Sequence, residues 1–281
     1  MIYIPDSRID YFIGEDVPYI DLTTLVLGIG SEQGKIRFVS REDSVISGTE
    51  EVLKICQKLN IDVINYLPSG TVVKPGEEFI EAVGKAGDLH KAWKISLNIV
   101  EYCSGIATRT KRLVDMAQSV KPKVTIVATR KNFPGTKDLA IKAVVAGGGF
   151  PHRLGLSETI LVFKQHLNFL GGMANLIKMI DTVKTRASEK KVIVEVDNLE
   201  EAIMLCNSGV DGIQFDKVPP AELINYVTAV KEINPGIIAL GAGGINEKNI
   251  AAYAGTGIDV VVTTSVYFGK PADIGVTIDK V

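Results

Sequence analysis

A chain of 281 residues, 46% of them hydrophobic, carries enough apolar material for a sizeable core, which excludes a chain disordered throughout. A net charge of -2 and a pI of about 6.0 exclude a global positive field for nucleic acid or an anionic membrane, so any anion recognition must be local. No apolar run approaches the roughly 18 residues of a membrane helix, and the opening MIYIPDSRIDYF lacks a basic region and a small-residue cleavage site; a cytoplasmic protein is expected.

Residues 1–100 read as an α+β domain. The helix-like TEEVLKICQKLN lies among short strands, and KPG within LPSGTVVKPGEEF marks a tight turn. HKAWKISLNIVEYCSGIATRTKRLVDMAQSV has helical period and forms the junction, with His90 as a junction residue rather than a ligand. Residues 101–281 then alternate strand and helix. The strands are VTIVA (124–128), TILVF (159–163), VIVEV (192–196), GIQF (212–215), IIAL (237–240) and DVVVT (259–263). Between them GTKDLAIKAVVA, NFLGGMANLIKMIDTVKTRA, NLEEAIMLCNS, PPAELINYVTAVKEI and NEKNIAAYA place apolar residues three or four apart. Asn198 followed by Glu201 resembles a capping box, and Pro219 and Pro220 suit a first helical turn. Six strands buried on both faces predict a parallel sheet, rolled into an incomplete α/β barrel or left open as a doubly wound fold. Cys56, Cys103 and Cys206 are far apart, form no CxxC, and read as reduced core thiols; no HExxH or Cys/His spacing suggests zinc.

The residues at the carboxyl end of each strand carry the functional reading. Thr129, Arg130 and Lys131 come after the first strand, and Lys164, Gln165 and His166 after the second. Glu195 sits inside the third, and Asp216 and Lys217 end the fourth. Gly241, Ala242, Gly243 and Gly244 succeed the fifth, Thr264 and Ser265 the sixth. The carboxyl ends of strands are where α/β folds bind ligands. An isolated Arg-Lys pair is usually a solvated turn, Asp216 also suits a helix entry, and GAGGI alone is a weak motif. Glu195 differs: a carboxylate in an apolar strand must be paired, metal-bound or at the open end. The triple glycine 147–149 is read as a helix end, which leaves His152 and Arg153 unexplained. Together these residues predict a pocket with a cationic wall (Arg130, Lys131, His152, Arg153), two carboxylates (Glu195, Asp216) and an amide-lined phosphate cradle before the helix expected from Asn246. One opposite-charge contact at about 4 Å is worth about 4 kcal/mol at an effective dielectric near 20, so converging cations call for a multiply charged anion. Glu195 and Asp216 would hold Mg²⁺ or sugar hydroxyls, and the ligand fitting all of this is a phosphorylated sugar bearing pyrophosphate.

SGIATRT (104–110), TRK followed by PG (129–135), GGG followed by HR and GL (147–156), VEV followed by NLEEA (194–202), FD (215–216) and GGI (243–245) occur in that order. As a set they resemble the quinolinate phosphoribosyltransferase family, the nicotinate-nucleotide pyrophosphorylases, over nearly the whole chain. The run ATRKNFPGTKDLAIKAVVAGGGFPHRLGLSETILVFKQH looks closest to the ModD branch, pyrophosphorylases associated with molybdenum transport. The resemblance implies a sandwich-like N-terminal α+β domain, a six-strand partial barrel, and a homodimer with active sites shared between one subunit's barrel and the partner's N-terminal domain. It also implies phosphoribosyl transfer from 5-phosphoribosyl 1-pyrophosphate (PRPP) to a small acidic heterocycle, with Mg²⁺. By motif position Arg130, Lys131, His152 and Arg153 bind the acidic substrate and part of PRPP. Glu195 and Asp216 take the ribose hydroxyls and metal, with Lys131 joining them as catalytic. Ala242, Gly243, Gly244, Thr264 and Ser265 take the 5′-phosphate, and Lys94 in WKISLN reaches the neighbouring subunit's pocket.

The departures are specific. Lys94 stands for the family's arginine and loses its planar fork. The KDNH segment reads Phe163, Lys164, Gln165, His166, so an apolar ring replaces the substrate-binding lysine, and Lys164 points to the other face if the strand persists. Ala242 replaces a serine and Lys217 an asparagine. Phosphate handling is retained while the dicarboxylate grip is weakened, so an acceptor other than quinolinate is expected. The alternatives are an authentic quinolinate enzyme that also decarboxylates, a non-catalytic binder of phosphometabolites or molybdate, and another phosphate-binding barrel enzyme.

Overall fold

A computed structural model describes residues 2–281. In chain order it runs through α1 (Asp6–Asp16), α2 (Leu22–Leu27), β1 (Gln33–Ser40), β2 (Ser44–Val45), α3 (Thr49–Lys58), β3 (Asp62–Tyr66), β4 (Val72–Val73), β5 (Glu78–Lys85) and α4 (Ala86–Val120). Next come β6 (Thr125–Ala128), α5 (Lys137–Ala146), β7 (Phe150–Pro151), β8 (Ile160–Val162), α6 (Lys164–Leu170) and α7 (Met173–Arg186). The chain ends with β9 (Val192–Val196), α8 (Leu199–Cys206), β10 (Gly212–Asp216), α9 (Pro220–Ile233), β11 (Ile238–Ala242), α10 (Ile250–Ala254), β12 (Val260–Thr263) and β13 (Ile274–Lys280).

Two compact units divide these elements. The first takes the chain up to Lys111, Phe133–Gly148 and Tyr267–Val281; the second takes Arg112–Asn132 and Gly149–Val266. In the first, an antiparallel sheet of order β13-β1-β5-β3 buries alternate residues of β1, Ile36 and Phe38 among them, in one core with Val52 and Ile55 of α3 and Leu89 and Ala92 of α4. KPG makes its tight turn between β4 and β5. β13 pairs with β1 along its whole length. The C-terminal strand therefore returns to the first unit, although the sequence alone assigned everything after residue 100 to the barrel. Its alternating pattern announces a strand and carries no information about which sheet accepts it.

In the second unit seven parallel strands take the order β7-β6-β12-β11-β10-β9-β8. The seventh, β7, was not expected. It is two residues long and edge-paired to β6, where its proline costs no ladder bond. The sheet curls into a half-barrel: Val127 of β6, next to one edge, and Leu161 of β8, at the other edge, share an inner core with Ile193, Leu240, Ala242 and Val262. Alternate residues face the helices, as the Phe215 and Tyr226 rings show at 6.0 Å between β10 and α9. At the start of α8 the Asn198 side chain accepts from the Glu201 amide at 2.9 Å, and Pro219 and Pro220 open α9 as expected.

The helix read through NFLGGMANL is broken. Gly171 (φ 80°) and Gly172 (φ 103°) take backbone angles open to glycine, ending α6 and restarting the chain as α7. Cys56, Cys103 and Cys206 are free and buried, and burial pushes the Cys56 and Cys103 thiols up to about 12. Among the described residues no helix is long and apolar enough to cross a membrane.

Candidate active site

The two-residue period of a strand puts Ile193 and Glu195 of β9 on the inner face of the half-barrel, and Gln214 and Asp216 of β10 beside them. Glu195 is paired in register with Gln214, whose Nε2 donates to Glu195 Oε2 at 2.6 Å. Burial pushes the Glu195 carboxyl above its ordinary value, the Gln214 hydrogen bond pulls it back, and the charge of Asp216 raises it again. Lys131 and Lys217 lie near enough to act on it in the opposite sense. Glu195 and Asp216 line a pocket of about 260 Å³ together with Lys164, Gln165 and Leu167 from α6, and with Val196, Asp197, Asn198 and Glu201 around the start of α8.

Lys164 is a correction. The strand ends at Val162, and Lys164 opens α6 and lines the pocket, so the face expected of a continued strand does not apply. Phe163 joins the half-barrel core at its margin. Its ring stacks on His166 with centroids 5.8 Å apart, and its amide donates to His166 Nδ1 at 2.9 Å. The Arg153 guanidinium lies over the same ring at 5.7 Å.

On the β6–β7 side Arg130 and Lys131 are exposed at the end of β6, and His152 and Arg153 come directly after β7. Burial and then the neighbouring charge of Arg130 hold Arg153 below its ordinary value, which places these two cations within each other's field. His152 departs from the cationic wall expected of it. Burial, with Arg153 adding to it, pushes its pKa down to about 4, so the ring is neutral at pH 7. Its buried Nε2 has no partner among the described residues.

Directly after β11, Gly243 and Gly244 turn with φ of 88° and 73°. A Cβ on Gly243 would lie 2.8 Å from Asp216 Oδ1, so only glycine brings this loop against the carboxylate. Thr263 Oγ1 donates to the Ile245 carbonyl at 2.6 Å and lies 2.9 Å from Ser265 Oγ, tying the loop to the end of β12. The Thr264 and Thr129 hydroxyls meet at 3.0 Å. Ala242 is buried. The helix expected from Asn246 begins only at Ile250 and has five residues, because Asn246 and Asn249 spend their side chains on a turn, both amides donating to the Gly244 carbonyl. Any phosphate bound here relies on loop amides rather than on a helix dipole. Lys94 lies in the other unit, on α4, with its ammonium 4.3 Å from the Trp93 ring centroid.

Among the described residues no three His, Cys, Asp or Glu gather as a metal cage. Two neighbouring carboxylates with hard oxygen donors suit a different arrangement, a Mg²⁺ shared with ligand phosphates. Gln214 and Asp197 were missed by sequence reasoning, Glu201 was read only as part of a helix cap, and Lys164 was placed at the strand end but on the other face. The shared parity of Glu195, Gln214 and Asp216 along paired strands was the available signal for the first.

A parallel half-barrel with carboxylates, cations and a glycine loop at the carboxyl ends of its strands defines an α/β enzyme class that handles phosphorylated ligands. The chain matches the quinolinate phosphoribosyl transferase N-terminal domain over residues 21–104 and the C-terminal domain over residues 106–277, and it belongs to that family. A Pasteurella multocida protein named "Putative pyrophosphorylase ModD" is 35% identical over 280 residues, covering 100% of this chain and 99% of the relative. A Rhodobacter capsulatus protein of the same name is 36% identical over 251 residues, covering 89% and 96%. The crystal structure of the nicotinate-nucleotide pyrophosphorylase from Ehrlichia chaffeensis superposes with a TM-score of 0.90 over 99% of this chain and 100% of that one, at 23% identity, and shares the fold.

Proposed function

We propose that the protein transfers phosphoribose from PRPP to the ring nitrogen of an acidic heterocycle other than quinolinate, releasing pyrophosphate, and that it works with Mg²⁺ as a cytoplasmic homodimer. The observation that carries this reading is the side-by-side placement of Glu195 and Asp216 on paired strands, facing one pocket within the field of Lys131 and Lys217. Family membership supports it. The C1–O bond of PRPP breaks with its electron pair leaving on pyrophosphate, and the lone pair of the heterocycle nitrogen forms the new C1–N bond. Positive charge grows at C1 as the old bond lengthens, and Glu195 and Asp216 stabilise it while holding the ribose hydroxyls. Lys131 and Arg130 neutralise the departing pyrophosphate, Gly243, Gly244, Thr264 and Ser265 hold the 5′-phosphate, and Arg153 holds the acceptor's acid group. Glu195 and Asp216 would hold Mg²⁺, which supplies a further positive charge against the leaving oxygens. Positioning contributes much of the rest.

The pocket of about 260 Å³ falls below the roughly 300–1,000 Å³ of complete small-molecule sites, which fits a site finished by a second chain through Lys94. Phe163, where a charged side chain would grip a second carboxylate, favours an acceptor with one acid group and an apolar ring edge. Lys164 favours the second reading, quinolinate use with release of CO₂, because it returns a cation to the pocket from the next position.

The test screens pyridine and other heterocyclic acids for Mg²⁺-dependent pyrophosphate release from PRPP, with quinolinate and CO₂ release in parallel. Glu195→Ala is expected to cut turnover by about 100-fold or more while the chain still folds. Full turnover in that variant rejects the assignment of Glu195. No release with any acid rejects the proposed reaction.

A further inference from the structure

Gln214 stands two residues before Asp216 on β10 and pairs in register with Glu195 on one side and Leu240 on the other. Its side chain is 4% exposed and lies on the face that carries Leu161, Ile193 and Leu240. One end of the amide is used: Nε2 donates to Glu195 Oε2 at 2.6 Å. The other end is not, for Oε1 is enclosed with no partner among the described residues. A glutamine kept for stability would have both ends satisfied, and at this position an apolar side chain of the same length would cost less. The carboxylate dictates the amide's orientation, because an ionised Glu195 only accepts and so turns the NH₂ group toward itself.

We propose that Gln214 is a positioning residue that fixes the Glu195 carboxylate for ligand binding. The inference rests on the phosphoribosyl-transfer reading for what Glu195 does, and on the hydrogen bond alone for how it is held. Tethering one oxygen selects a single rotamer of Glu195 and leaves the other oxygen for the pocket it lines. Gln214 is itself immobilised by its enclosure. Asp216 has a looser setting, with the exposed Lys217 ammonium 3.8 Å away. The carboxylate pair is thus unequal: Glu195 is the rigid member and Asp216 the adjustable one.

Gln214→Met keeps length and burial and removes the donor. In calorimetric titrations of PRPP with Mg²⁺ in excess, it is expected to raise Kd by about 10-fold or more. The unfolding temperature should stay level or rise, since the unsatisfied carbonyl is gone. In a Glu195→Ala background the same change should alter Kd by less than about 2-fold, because the group it positions is missing. Unchanged PRPP affinity in Gln214→Met, or equal weakening in both backgrounds, overturns the proposal. Gln214→Asn, too short to reach Glu195, serves if the methionine variant does not fold, and the same loss is expected. If the parent protein takes up no PRPP, the phosphoribosyl-transfer reading fails. The pairing is then judged by unfolding temperatures of the two single variants and the double variant: non-additive shifts uphold it and additive shifts overturn it.

Discussion

His152 and Arg153 are neighbours in sequence and opposite in electrostatic character. Enclosure and the adjacent guanidinium strip His152 of its proton down to about pH 4, whereas Arg153 keeps its charge because its ordinary value is far above neutral. The folded pKa of His152 lies below its unfolded value of 6.5, so between pH 6.5 and about 4 the unfolded chain binds the extra proton. Stability from this residue is present above pH 6.5 and is lost as pH falls through that window. At about 1.4 kcal/mol per pKa unit the loss is bounded at about 3 kcal/mol, less because burial is incomplete. Urea unfolding at pH 7.5 and at pH 4.5 should show His152→Gln losing less stability on acidification than the parent; equal losses would remove His152 from the account. Glu195 was legible in the sequence because a charge inside VIVEV has no cheap structural reason. Gln214 was not, because an uncharged polar side chain in a strand raises no such alarm, and only the register with β9 shows what it holds. The charge state of His152 was equally hidden, since it depends on enclosure by residues remote in sequence.

At the scale of elements, α5 was legible as a helix from its period but not for what it carries. Lys142, 6% exposed, reaches Glu50 Oε2 at 2.7 Å and the two oxygens of Glu51 at 2.7 and 2.6 Å. These ties fasten α5 to α3 within the first unit. Burial alone would raise the Glu50 carboxyl, but hydrogen bonds from Lys142 and Ser69 outweigh it and hold the group at about 2. Removing one partner of such a cluster strands the others: Lys142→Met is expected to cost about 3–5 kcal/mol in urea unfolding at neutral pH, most of it from the enclosed Glu51. A loss below about 1 kcal/mol, the value of an exposed pair, would mean that water already reaches the cluster. The parallel strands and their flanking helices could be read from period and punctuation because each is a local property. The break at Gly171 was carried by local glycines that the apolar period masked, and the end of β8 at Val162 decided where Lys164 points.

At the scale of the whole molecule, the short helix α2 and the residues before it are apolar and uncovered: Tyr19 is 92% exposed and Val26 75%, with Leu22, Leu25 and Leu27 also exposed. A stretch of this kind is costly in water and is typical of interaction surfaces. Lys94 lies on α4 with its ammonium against the Trp93 ring and within the field of Glu101 on the same helix. We propose that a second copy of the chain buries α2 and receives Lys94 beside Glu195 and Asp216. The expected particle has twice the 30.3 kDa mass of the chain, and light scattering after gel filtration checks it. The stronger check is complementation. Lys94→Ala and Glu195→Ala are each expected to weaken PRPP binding in the presence of Mg²⁺ by about 10-fold or more, one by withdrawing the cation a chain lends and the other by spoiling the pocket it owns. In a mixed dimer of the two variants both lesions fall in one site and the other site is intact, so refolding the variants together should restore one PRPP site of parental affinity per dimer. Binding that stays weak at every site in the mixture, with both variants folded and dimeric, would show that each site is built from one chain and that Lys94 serves only its own helix.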